Sequence, residues 1–231
     1  MTKIKRSHIF SVAVAVSFAL MYFSYLPVAG VLGHLLLLFS TLTHELGHGL
    51  TAILVGGDFH KLIINWDASG VTSWSGHGGR IANALVAAGG LVGPSIAAAL
   101  IFLSARSSDP KFLWSTRIFA AGLLVAGVFT ARSFWALLFT VGLGALLFIL
   151  VSLLSRAQLE AVMVFIGVQL SLSVFTRADY LFTKSAGPGL PSDVAHMASA
   201  LFLPYWFWGA LCGLFSLGVL FLGARCYVAK S

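Results

Sequence analysis

His44-Glu45-Leu46-Gly47-His48 gathers three ionisable side chains within five residues of an otherwise apolar stretch. On a helix, residues four apart lie on one face, one turn above the other. His44 and His48 can therefore aim ring nitrogens at one ion. Glu45 can reach a water on that ion's open position. A bound Zn2+ acidifies the water, and the carboxylate takes its proton as general base. The whole chain holds only seven histidines and seven acidic residues. From such a composition, a chance His-Glu-x-x-His has a probability on the order of one in 500.

Two histidines and a water leave one protein ligand to find. Asp193 is the best placed. It follows the break at Gly187-Pro188-Gly189-Leu190-Pro191 and starts the last helix. Asp179 is the runner-up, with Arg177 beside it as an ion-pair partner. Ser192-Asp193 also reads as a helix N-cap. Glu160 is expected to pair with Arg156 at i, i+4. His34 reads as a packing residue, and His60 and His77 as parts of a connecting hairpin. His196, one turn after Asp193, is a conceivable partner for a ligand.

The elements that must position these groups lie in a bilayer. Hydrophobic types make up 59% of the 231 residues and charged types 9%. A soluble domain carries roughly 25% charged residues. The fold class is an all-α polytopic membrane protein, integral and multi-pass, with about 6–7 transmembrane helices. Apolar segments fall at approximately 8–29, 31–55, 81–105, 112–131, 133–154, 157–176 and 200–226. A charge at the centre of a spanning helix costs about 2.5–3.5 kcal/mol even on the insertion scale. That cost argues against packing as the reason for the 44–48 cluster. The net charge of +7 is scattered over short loops. It fits topology control in a lipid bilayer and points to no nucleic acid partner. Cys212 and Cys226 form no Cys-x-x-Cys pair.

A single domain over 1–231 is expected, with the zinc-motif helix at 31–55, a hairpin at 56–79 and a distal ligand loop at 176–199. In the hairpin, Leu62-Ile63-Ile64-Asn65-Trp66 is β-like. A turn at Asp67-Ala68-Ser69-Gly70 follows, and Val71-Thr72-Ser73-Trp74 returns. Gly47 and Gly49 remove bulk beside the motif. Gly89-x-x-x-Gly93 permits a close helix contact under it. With seven segments, the 31–55 helix and the 176–199 loop bring their relevant ends to one membrane side.

Thr43-His44-Glu45-Leu46-Gly47-His48-Gly49-Leu50, with Ala52 and Gly56-Gly57, resembles the opening block of the site-two-protease-like intramembrane zinc metalloproteases. The branch is the B-like one of peptidase family M-fifty. Ala87-Ala88-Gly89-Gly90-Leu91-Val92-Gly93-Pro94 resembles its next helix. Ser192-Asp193-Val194-Ala195, with Pro204, Trp206 and Trp208, resembles its closing block. The resemblance implies zinc on His44, His48 and Asp193, Glu45 as catalytic base, and a membrane-protein or membrane-associated peptide as substrate. One departure is Val194, where better-studied site-two proteases have glycine. The resemblance also implies strand addition of an unwound substrate to the hairpin, with Leu62–Trp66 suited to that edge; a plain amphipathic connector is the equal alternative for that stretch. The competing reading is a catalytically inactive metal-binding membrane protein or a metal transporter. A transporter would spread its ionisable groups over several helices.

Overall fold

The computed structural model describes residues 5–23, 25–176, 178–187 and 189–229, with side chains at all of them except 21, 174–176, 178 and 179. Helices α1 (Arg6–Tyr22) and α2 (Pro27–Leu54) precede a hairpin of β1 (Asp58–Ile64) and β2 (Gly70–Ser75). Helices α3 (Gly79–Arg106), α4 (Asp109–Thr130), α5 (Phe134–Leu153) and α6 (Arg156–Thr176) follow. A 3-10 turn (Ala178–Phe182) leads into a small hairpin of β3 (Ser185–Gly187) and β4 (Leu190–Pro191). The chain ends in the short α7 (Asp193–Leu201) and α8 (Tyr205–Val228).

Five of these helices, α2, α3, α4, α5 and α8, are long and apolar enough to cross a membrane, and α1 carries a shorter apolar stretch. Their outer faces fit a lipid solvent. Ile118, Val128, Phe129, Leu214 and Phe221 are all well exposed. A soluble protein would leave few such side chains clustered in water. The expected last segment, 200–226, is broken. Phe202 adopts a left-handed conformation (φ 68°) after α7, and Pro204 then starts α8. Proline is tolerated at such a start because the first helical N–H groups have no helical acceptor anyway.

α2 and α3 pack through glycine. A Cβ on Gly47 would overlap the Gly89 carbonyl, one on Gly89 would overlap Thr51, and one on Gly93 would crowd the Thr43 carbonyl. Small residues let two backbones approach closely, which is how helices associate without a hydrophobic drive in lipid.

The β1–β2 hairpin lies back along α2. Phe59 packs where Gly49 lacks a side chain. Thr41 Oγ1 donates to the Ala68 carbonyl (2.9 Å), and His34 Nε2 lies 2.6 Å from the Trp66 carbonyl. Of the two readings of Leu62–Trp66, a substrate edge or a plain connector, the contacts on β1 fit the connector. The Arg132 N–H donates to the Leu62 carbonyl (2.9 Å) and Ser133 Oγ donates to the Ile64 carbonyl (2.8 Å). The α4–α5 connection thus covers the outer side of β1. β2 pairs only with β1 among the described residues.

At the far end of the helices, Glu160 is buried among cations. It meets Arg156 at 2.7 Å and Arg6 at 3.5 Å and accepts from the Tyr227 hydroxyl at 2.8 Å. Arg156 also reaches Asp109 (3.2 Å) and the Ala105 carbonyl (2.7 Å). The i, i+4 pair read from the sequence is present, and it is the centre of a network tying α1, α3, α4, α6 and α8. Tyr227→Phe removes a hydrogen bond to a buried charge, a loss of about 2 kcal/mol. Thermal unfolding in detergent is expected to register it as a lower Tm.

Candidate metal centre

The motif residues sit in the second half of α2, where the helix is fixed between α3 and the hairpin. His44 and His48 project one above the other, their rings 4.7 Å apart and nearly perpendicular. Their Nε2 atoms are 3.2 Å apart. Asp193 completes the group, with Oδ2 3.2 Å from His44 Nε2 and Oδ1 3.4 Å from His48 Nε2. It is the one such cluster of potential metal-ligand groups among the described residues.

These spacings fit zinc. With zinc bonds of roughly 2.0–2.1 Å in a tetrahedron, neighbouring ligand atoms stand about 3.3–3.4 Å apart. The carboxylate fits too. Asp193 Oδ2 is buried and makes no hydrogen bond within the protein, so a cation there would give it a partner. Burial alone would push the Asp193 carboxyl up, but the imidazoles of His48 and His44 outweigh it and hold the group below the usual carboxylate range.

His48 is oriented from behind. Its Nδ1 donates to the Val86 carbonyl on α3 (2.7 Å), which leaves Nε2 free to face the cluster. The ring fits only because residue 90 is glycine, since a Cβ there would overlap the imidazole. Sequence reasoning named Gly89 and Gly93 for packing and missed Gly90. The adjacent Gly89-Gly90 pair was the available signal.

Asp193 is placed by a cap. Ser192 Oγ accepts from the Ala195 N–H (3.3 Å) and donates to the Thr183 carbonyl (2.5 Å). Ser192 thus does the capping, and Asp193 is left free to face the histidines. Val194, the departure from the Asp-Gly pattern, is fully buried against Ala84, Ala87 and Met197. Its side chain packs α7 onto α3. Arg80 holds the other end of α7, donating to the Ser199 carbonyl (2.9 Å) and covering the Phe202 ring.

Glu45 is buried and lines a cavity of about 700 Å³ together with the three clustered residues. β2 forms one wall, from Gly70 to Ser75. Ala186, Leu190 and Pro191 form part of another. Thr72 Oγ1 donates to the Glu45 carbonyl (2.9 Å), so the strand is tied to the motif itself. Gly70 is required here, because a Cβ would come within 2.6 Å of Glu45 Oε1. Gly70→Ala is expected to displace that carboxylate while leaving metal content unchanged. Misplacing a catalytic group by about 1 Å can cost on the order of 10²-fold in rate, which a cleavage assay of the variant would read.

The other candidates lie elsewhere. Glu160 belongs to the distant network, and His34 clamps the hairpin tip. His60 meets Ser75 Oγ at 2.6 Å, and His77 is exposed between β2 and α3. His196 lines the cavity without joining the cluster. The Asp179 carboxylate and Arg177 lie outside the described residues. Cys212 is buried and Cys226 half-buried, both free.

Exposed apolar helix faces around a half-buried His-His-Asp group define a polytopic membrane protein with a metal-type site. The chain belongs to the Peptidase M50B-like family, whose model matches residues 11–223. Membership makes it an integral membrane protein and places an intramembrane metallopeptidase domain over most of its length. No curated protein and no solved structure matches the chain.

Proposed function

We propose that this protein is a zinc metalloendopeptidase that hydrolyses peptide bonds of membrane-protein or membrane-associated peptide substrates. His44, His48 and Asp193 would hold the zinc, and Glu45 would serve as general base. The observation that carries the reading is the close approach of the three side chains, with the two Nε2 atoms 3.2 Å apart and each facing its own Asp193 oxygen at 3.2 and 3.4 Å, beside a buried glutamate.

Bound zinc supplies an acidified water and polarises the scissile carbonyl. The remaining work falls to the chain's own side chains. Glu45 accepts the water's proton at its carboxylate and passes it to the leaving amine. The Val86 carbonyl keeps His48 in the tautomer whose Nε2 lone pair faces the site. The β2 edge offers backbone groups to an unwound segment, and β3–β4 residues line another side of the cavity. Strand addition of this kind gives affinity through the main chain, whatever the side chains.

The test uses the purified chain in liposomes with a transmembrane peptide. Cleavage is expected, is lost with a zinc chelator and returns with added zinc. Metal flux across the bilayer without cleavage would support the transporter reading instead.

A further inference from the structure

The two motif histidines are not equally supported. His48 has the Val86 carbonyl behind its ring. His44 has no hydrogen-bond partner at Nδ1 among the described residues. Metal-ligating imidazoles nearly always give that second N–H to an acceptor, which fixes the tautomer and raises the basicity of the ligating nitrogen. His44 therefore needs an acceptor that the protein does not directly supply.

A second cavity lies against His44. It has about 30 Å³ and is lined by Ser40, Ser173, Tyr180 and Ser216 as well as by apolar residues of α3. A single water needs roughly 10–15 Å³ by this measure, and two to four polar partners. Ser40, one helical turn before His44, is 3% exposed, and its hydroxyl has no hydrogen-bond partner. Leaving a buried hydroxyl unpaired is unfavourable, so a ligand that satisfies it is favoured. Ser173 Oγ, which also lines the cavity, donates to the Leu170 carbonyl (2.7 Å).

We propose that this cavity holds a buried water, bonded to Ser40 and Ser216, that accepts the Nδ1–H of His44 and so orients it toward the metal. Ser40 and Ser216 are then positioning residues acting through the water. The inference rests on the metal reading given above.

The experiment compares zinc affinity by chelator competition, and the visible spectrum of the cobalt-substituted protein, in wild type, Ser40→Ala, Ser216→Val and Ser95→Ala. The last removes an equally buried hydroxyl, bonded to the Val92 carbonyl, that does not line the cavity. Losing such a support typically costs about 10–100-fold in metal affinity. The expected result is a loss in that range with a shifted cobalt spectrum for Ser40→Ala and Ser216→Val, and neither change for Ser95→Ala. Ser216→Ala replaces either variant that fails to fold. Wild-type affinity and spectrum in the Ser40 and Ser216 variants would overturn the inference and leave the metalloprotease reading intact. A wild-type protein that binds no zinc would overturn both.

Discussion

Glu45→Gln is expected to retain zinc and to lose peptide cleavage by about 10²–10⁴-fold, the usual contribution of general acid–base catalysis. The amide is nearly isosteric with the carboxylate, so the buried site between α2 and β2 keeps its packing. It cannot take a proton from water. Thr72 bonds the Glu45 backbone carbonyl rather than its side chain, so the strand stays tied to the motif in the variant. Metal content by elemental analysis and cleavage of a transmembrane peptide, measured on one preparation, check this. Cleavage at the wild-type rate would end the assignment of Glu45 as base.

Asp193→Ala is expected to strip zinc from the protein, while Asp179→Ala keeps it. Removing one of three protein ligands should weaken binding well beyond the roughly 10–100-fold that a hydrogen-bond partner of a ligand costs. The loss should not be confused with unfolding. Ser192 still caps α7, Val194 still packs it against α3, and Arg80 still holds its end. The variant also removes a buried carboxylate whose Oδ2 makes no hydrogen bond within the protein. It also loses the contacts of that carboxylate with His44 and His48, so the metal-free variant is expected to be folded with a Tm modestly below that of the metal-free wild type, as a comparison with chelator would read. Zinc retained by Asp193→Ala and lost by Asp179→Ala would move the third ligand to Asp179.

Much of this was legible in the sequence because the relevant forces are local. The i, i+4 geometry of a helix puts His44 and His48 on one face regardless of the fold around them. Low charge and long apolar runs require helices in lipid, where backbone groups must be satisfied within each segment. The turn residues Asp67-Ala68-Ser69-Gly70 set a hairpin, and Ala68 does adopt a left-handed conformation there (φ 64°). Arg156 and Glu160 meet as their spacing predicts.

What the sequence left open was set by contacts between distant segments. Asp193 lies far along the chain from His44, and only the packing of α7 on α3 brings it within 3.2 Å. The Ser192-Asp193 pair was compatible with a cap or a ligand, and the structure gives the cap to Ser192 and leaves Asp193 facing the histidines. Composition left Leu62–Trp66 as either an open edge or a plain connector. The α4–α5 connection covers that side, so β2 faces the cavity instead, and no local pattern in either strand records that choice.

The motif of residues 44–48 thus came from the sequence alone, since one helical turn is enough to align it. The placing of Asp193, already the preferred third member, beside the histidines, the glycine at 90 that makes room for His48, and the serine-lined cavity behind His44 came from tertiary structure. Each depends on how closely two helices approach, and that distance is set by side chains on both partners at once.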